Sequence, residues 1–309
     1  QTMAVTIPEV VGRRFGKISS TFTAVLGILS LFCLTSSQIA ASGSVVASLT
    51  GIPTNVALVI AGAVVILYTT FGGMIADQIS DLVQFAIILV GLAVATPIVI
   101  HGCGGWDAIS AALPPVQLDF TKIGWVTIIG YIFNYFCTFL AGPEMVSRFE
   151  TAKDEKTARQ ASWVSAILMA AMSIFPTLLG LAALATMPDL ADGGKNAMMA
   201  VTTAHAPAFI VGMISAAIIC ATMSSADSNL LCMSTMIMND LYLEYGGKKL
   251  SDKKIITYTR ACNVIAAVIA MLIAMFGVPI VTMNTFAFGI RCAGPFAACL
   301  LYTSPSPRD

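Results

Sequence analysis

From residue 20 to residue 49 the chain runs without one charged side chain. A bilayer core is crossed by about 20 helical residues, so a run of this kind demands lipid on at least one side. No lipid-exposed backbone can leave its polar groups unpaired, which restricts spanning segments to helices and closed barrels. Strict apolar/polar alternation is missing, and that selects helices. Composition agrees: 57% of the 309 residues are hydrophobic and 10% charged, where a soluble domain carries roughly 25% charged residues. The chain is expected to be an all-α integral membrane protein. Sixteen basic residues balance sixteen acidic ones, so nothing in the net charge points to nucleic acid, and the placement of the charges becomes the informative quantity.

The apolar runs and their breakers give eight expected spans: 20–49, 55–73, 82–101, 125–142, 157–187, 207–241, 255–276, and 278 to the chain end. Three of them exceed what a perpendicular crossing needs, which implies tilt or protrusion rather than extra spans. A short surface helix is expected around 106–113, and 193–206 is similar. Lys and Arg concentrate on the cytoplasmic side of membrane proteins. Twelve basic residues fall on one side: Arg13, Arg14, Lys17, Arg148, Lys153, Lys156, Arg159, Lys248, Lys249, Lys253, Lys254 and Arg260. Only Lys122 and Lys195 fall on the other. The residue 1 side and the loops at 148–156 and 244–254 are therefore expected in the cytoplasm of a multi-pass protein of the cell membrane.

Gln1 opens no signal sequence, and the first seventeen residues read as a polar, basic loop that follows an earlier span. The last span is interrupted by Ser304-Pro305-Ser306-Pro307-Arg308-Asp309, which resembles a reading frame of a sequencing-library adapter. Residues 299–309 are expected to be non-native, the alternative being a Pro-rich cytoplasmic tail. The chain is expected to be a fragment, with 1–298 as its membrane domain.

Polar side chains at membrane depth are costly and are the first functional candidates. The densest cluster is Thr222-Met223-Ser224-Ser225-Ala226-Asp227-Ser228-Asn229. On a helix Ser224 and Ser228 share a face, with Asp227 turned about 60° from Ser224. Neutral hydroxyl oxygens suit a small monovalent cation, which favours sodium; the competing interpretation is a close helix contact lined by small residues. Asp227 must bind a cation, find a donor or stay protonated. Asp81 opens the third expected span, where taken alone it reads as an N-terminal helix cap. Ala141-Gly142-Pro143 either breaks the fourth span into two half-helices or simply ends it. Asn134, Tyr135 and Thr138 precede that point and are placed to face a cavity. Arg291 is expected to face protein or water, with no partner identifiable. The eight cysteines show no ligand spacing, His101 and His205 no metalloprotease motif, and the methionines from Met223 to Met238 read as packing.

Four stretches together resemble the sodium:solute symporter family. They are Thr6-Ile7-Pro8-Glu9 with Arg14-Phe15-Gly16; Leu67-Tyr68-Thr69-Thr70-Phe71-Gly72-Gly73 with Asp81 and Gln84; Gly142-Pro143-Glu144 with Arg148-Phe149 and Ala152-Lys153-Asp154; and Met223-Ser224-Ser225-Ala226-Asp227-Ser228 followed by Asn239-Asp240-Leu241-Tyr242. The resemblance implies a LeuT-type bundle of five-plus-five inverted-repeat helices, present here as core helices three to ten, with one and two missing. Thr35-Ser36-Ser37 would be the repeat echo of Ser224-Ser225. It implies sodium-coupled symport of a small organic solute, with Na+ as the coupling ion held by the Ala221 carbonyl and the Ser224 and Ser225 hydroxyls. A second sodium or proton site would use Asp81, Asp227 and Ser228, and the solute site Asn134, Thr138 and Gly142. Thr138 stands where sugar-carrying members place a gating tyrosine, which weighs against sugar. The alternative is a symporter-like sensor module of a signalling protein. Enzyme chemistry is not expected.

Overall fold

The computed structural model describes residues 6–190, 194, 196–246 and 251–295; the tail 299–309, Lys195, Lys248 and Lys249 lie outside them. The described residues are helical almost throughout. α1 is Ile7–Phe15, α2 Lys17–Thr50, α3 Thr54–Gly102, α4 Gly105–Ala112, α5 Trp125–Leu140, α6 Pro143–Glu150, α7 Glu155–Thr186, α8 Ala197–His205, α9 Ala208–Met236, α10 Asp252–Met275 and α11 Ile280–Ala293. α9 continues through a π-helical stretch at Ile237–Leu243.

Six helical segments among the described residues are long and apolar enough to cross a bilayer, and the bent pair α5–α6 makes a seventh. The long runs are single helices, as their tilt or protrusion requires. The eighth expected span is described only as α11, whose 14 residues fall short of a crossing. α4 and α8 fill the two links where short helices were expected.

Two expectations are corrected. Ile7–Phe15 is not a loop: α1 forms because Thr6 caps it, accepting from the Glu9 N–H at 3.3 Å, and Pro8 fits its first turn. The second and third spans are not separated by a loop. α3 runs through Gly73, whose φ of 69° and ψ of −178° make an elbow between the limbs Thr54–Gly73 and Ile75–Gly102. Asp81 therefore lies inside a helix and caps nothing.

α2, α3, α9 and α10 form the centre. Leu31, Val65, Leu230, Met233, Met236 and Ala267 are buried together there. Small residues bring the backbones close: a Cβ on Gly43 of α2 would lie 2.6 Å from Leu58 Cδ2 and 3.0 Å from Leu58 Cα on α3. A second core near α4, α7 and α8 gathers Val99, Ile109, Leu179, Met199 and Ile214. α5 and α7 carry exposed Phe133, Phe136, Trp163 and Ile167, as lipid-facing helices do. Residues of the basic loops meet at shared ends. The Lys17 ammonium donates to the Glu244 carbonyl at 2.8 Å, Thr6 donates to Asp240 at 2.6 Å, and Gln78 donates to Thr151 at 2.8 Å. Asp154 caps α7, and the Thr157 backbone and side-chain donors hold its carboxyl below the usual carboxylate range.

Candidate functional site

The hydroxyl cluster on α9 faces the second limb of α3. The helical spacing of Ser224, Asp227 and Ser228 turns all three toward Asp77 and Asp81, one turn apart on that limb. Ser224 donates to Asp81 Oδ1. Asp227 is 0% exposed and accepts from the Tyr68 hydroxyl at 2.7 Å and from the Ser228 N–H at 2.7 Å. Tyr68 also lies 3.0 Å from the Met223 carbonyl. Ser228 donates to Asp77 Oδ2 at 3.3 Å. One oxygen from each of Asp77, Asp81 and Asp227 falls within 4.8 Å of the others.

A cation already belongs to this cluster. Arg148, on the half-helix α6, donates from Nη2 to Asp81 Oδ2 at 2.6 Å and to Ser228 Oγ at 2.7 Å. Sequence reasoning assigned Arg148 to a cytoplasmic loop and did not single out Asp77. An acid that ends a long uncharged run was the one available signal for Asp77, and it shows nothing until α3 and α9 are packed.

The expected sodium ligands are split. Ser224 is half-buried against Asp81, whereas Ala221 and Ser225 lie on an exposed face, where the Ser225 hydroxyl donates to the Ala221 carbonyl at 3.1 Å. Asp81, Asp227 and Ser228, expected as a second site, do come together.

α5 and α6 are bent by 52° at the break, because Pro143 cannot donate to the preceding turn. Gly142 is confined there: a Cβ would lie 3.1 Å from Glu144 Oε1 and 3.3 Å from Arg291 Nη1. Arg291 is 1% exposed, and its Nη1 donates to Glu144 Oε1 at 2.5 Å and its Nε to Ser30 at 2.6 Å. The partner that the sequence did not reveal is thus an acid at the break. The three expected solute residues follow one another along α5 to the break, and a Cβ on Gly142 would lie 3.2 Å from the Thr138 carbonyl oxygen. Asn134 lines a cavity of about 310 Å³ between α5 and α11 with Tyr131, Tyr135, Asn284 and Phe288. Thr138 is buried and donates to the Phe288 carbonyl at 3.4 Å, and Gly142 sits beside the Arg291 pair. On α2, Ser37 donates to Asn284 at 2.6 Å, while the buried Thr35 hydroxyl has no hydrogen-bond partner among the described residues.

Among the described residues, a helical membrane bundle with a helix broken at Gly142 and side-chain oxygens gathered at a packed interface near it matches the architecture of a LeuT-type carrier. The chain belongs to the sodium:solute symporter family, which it matches over residues 1–304. It is 30% identical over 282 residues to the osmoregulated proline transporter OpuE of Bacillus subtilis, covering 88% of this chain and 57% of that protein. It is 25% identical over 285 residues to a sodium/proline symporter of Staphylococcus aureus, covering 88% and 55%. Its fold matches a Na+-coupled sialic acid symporter solved in a substrate-bound outward-open state, with a TM-score of 0.80 at 22% identity over 94% of this chain and 66% of that one. The chain spans a little over half the length of these curated relatives.

Proposed function

We propose that the chain is the ion-handling part of a carrier that couples sodium entry to uptake of a small organic solute by alternating access. The observation that carries this reading is the convergence of Ser224, Asp227 and Ser228 of α9 on Asp81 of α3, beside a half-helix that reaches into the cluster through Arg148. Family membership and the named activities of the proline and sialic acid relatives support it.

In this mechanism sodium enters from outside and is held by the Ala221 carbonyl with the Ser224 and Ser225 hydroxyls. Ser225 exchanges its present bond to Ala221 for the ion. A second cation shares Asp81, Asp227 and Ser228 with the Arg148 guanidinium, so its binding loosens the grip of α6 on α9. Solute sits near the break, with Asn134, Thr138 and Gly142 contributing. Only a difference in ion affinity between outward and inward states drives solute; an ion bound equally to both drives nothing. The loops at 148–156 and 244–254 face the cytoplasm in this orientation.

The test is uptake of labelled proline or sialic acid into proteoliposomes holding the full-length reading frame. An inward Na+ gradient is expected to drive accumulation of one of them and an equal K+ gradient is not. Equal uptake under both gradients, or no dependence on Na+ for any small solute, overturns the reading.

A further inference from the structure

The described cysteines are free thiols, and α5 and α11 bring two of them together from distant parts of the chain. Cys137 of α5 is 0% exposed, and Cys292 of α11 packs on it, near enough for the two thiols to interact. The contact lies in a seam along which the two helices run side by side. Tyr135 and Phe288 set their ring centroids 5.2 Å apart, Thr138 donates to the Phe288 carbonyl at 3.4 Å, and a Cβ on Gly142 would lie 3.3 Å from Arg291 Nη1. The thiol pair thus stands about one and a half helical turns before the break at Gly142. Two other cysteines meet different groups: Cys262 faces Met238 Sδ at 3.9 Å, and Cys232 the Ser147 hydroxyl at 3.5 Å.

A single buried thiol is a small apolar side chain and carries no more than packing. Two in contact on different helices add a chemical possibility, because the thiols and the disulfide they can form are all uncharged and neither state strands a buried charge. Their exposures also differ: Cys292 is half-buried, and Cys137 is sealed beneath it. A small oxidant can reach the first, while the second is held where it meets only the product of that attack.

We propose that Cys137 and Cys292 are an oxidation site whose disulfide ties α5 to α11 and arrests the carrier. The oxidant is hydrogen peroxide or another small uncharged peroxide. The Cys292 sulfur gives up its proton and attacks one peroxide oxygen; an S–O bond forms, the O–O bond breaks, and the hydroxide released takes the proton and leaves as water. The Cys137 sulfur then attacks the sulfenic sulfur of Cys292, the S–S bond forms, and the hydroxyl group departs with the Cys137 proton as a second water. The two sulfurs lose two electrons, which the peroxide gains. A dithiol reverses the step by thiol–disulfide exchange.

The consequence for transport rests on the alternating-access reading above. α5 is the first half of the broken helix, and α11 carries Arg291, which holds the second half through Glu144. In the reduced protein these are noncovalent contacts that two states can exchange. A covalent bond across the seam forbids the exchange and leaves one state populated.

The experiment exposes the full-length protein in proteoliposomes to hydrogen peroxide and measures two quantities: peptides joined between residues 137 and 292, by mass spectrometry, and Na+-driven uptake of labelled proline and sialic acid. Wild type is expected to yield the joined peptide and to lose most of its uptake, and dithiothreitol to reverse both. Cys137→Ala and Cys292→Ala are expected to transport normally and to keep their uptake under peroxide, whereas Cys33→Ala, which removes a half-buried thiol of α2, should be inactivated like wild type. Absence of the joined peptide from oxidised wild type overturns the proposal, and so does a joined peptide with uptake unchanged. Equal loss of uptake in Cys292→Ala also overturns it, because the damage then lies elsewhere. The peptide measurement is made on wild type, so it decides even where an alanine variant fails to fold. A joined peptide in a protein whose reduced form shows no Na+-driven uptake overturns the carrier reading, and the arrest with it, and leaves only the bond.

Discussion

Arg291 of α11 and Glu144 of α6 are joined at 2.5 Å across the break at Gly142, with the Arg291 side chain 1% exposed. The guanidinium also holds Ser30 of α2, so one side chain pins the half-helix to two others. Removing one member of a buried pair leaves the other charge stranded, at a cost of about 3–5 kcal/mol, whereas replacing both by apolar groups is often neutral. Arg291→Met is therefore expected to lower the melting temperature of the detergent-solubilised protein sharply, and Arg291→Met/Glu144→Met to recover most of it. An additive double variant would show that the two charges do not act as a pair.

Ser224 and Ser225 are adjacent in sequence but differ in surroundings. Ser224 is already committed to Asp81, while Ser225 bonds its own helix carbonyl and, among the described residues, no other group. Ser225→Ala is expected to raise the Na+ concentration for half-maximal uptake by about tenfold, the worth of one ligand near 1.4 kcal/mol, with little change in melting temperature. Ser224→Ala should weaken sodium activation and also lower stability, since it leaves an Asp81 oxygen without its donor. Uptake kinetics and thermal denaturation measured on the same preparations separate the two.

At Gly43 the neighbouring atoms include backbone, so Leu58 cannot simply rotate away from an added methyl group. Gly43→Ala is expected to cost about 1–3 kcal/mol by forcing α2 and α3 apart. Gly130, with nothing near its would-be Cβ, serves as the control, and Gly130→Ala should melt like wild type.

Orientation can be read by labelling single cysteines in a background without the native ones. Cysteine at Lys122 should react with an impermeant maleimide added to intact cells; cysteine at Lys153 should react only after the membrane is opened. The reverse pattern would invert the assignment of the basic loops to the cytoplasm.

Much of the bundle was legible in the chain because lipid imposes a single rule on length and polarity. The long runs, the short helices at α4 and α8 and the bend at Pro143 all follow from local sequence. Ser224, Asp227 and Ser228 were identifiable because three polar residues on one turn of an apolar helix are conspicuous. Asp77 and Arg148 were not, since Arg148 reads as an ordinary cytoplasmic charge and the partners of both lie far away in sequence, Ser228 for Asp77 and Asp81 and Ser228 for Arg148. Glu144 was read as the end of a motif rather than as the mate of Arg291 for the same reason. α1 was missed because its polar face outweighs its three buried residues, Ile7, Pro8 and Val11, which pack only once α2 is present.

The elbow at Gly73 also sets an angular phase. Each helical residue advances about 100° around the axis, so everything beyond the elbow is aimed by the number of residues counted from it. Shifting the glycine by one position, with composition unchanged, would swing Asp77 and Asp81 together away from α9 and toward the hydrocarbon. Ion chemistry in this protein thus depends on an integer, the four and eight steps from one left-handed residue to two acids, as much as on the acids themselves.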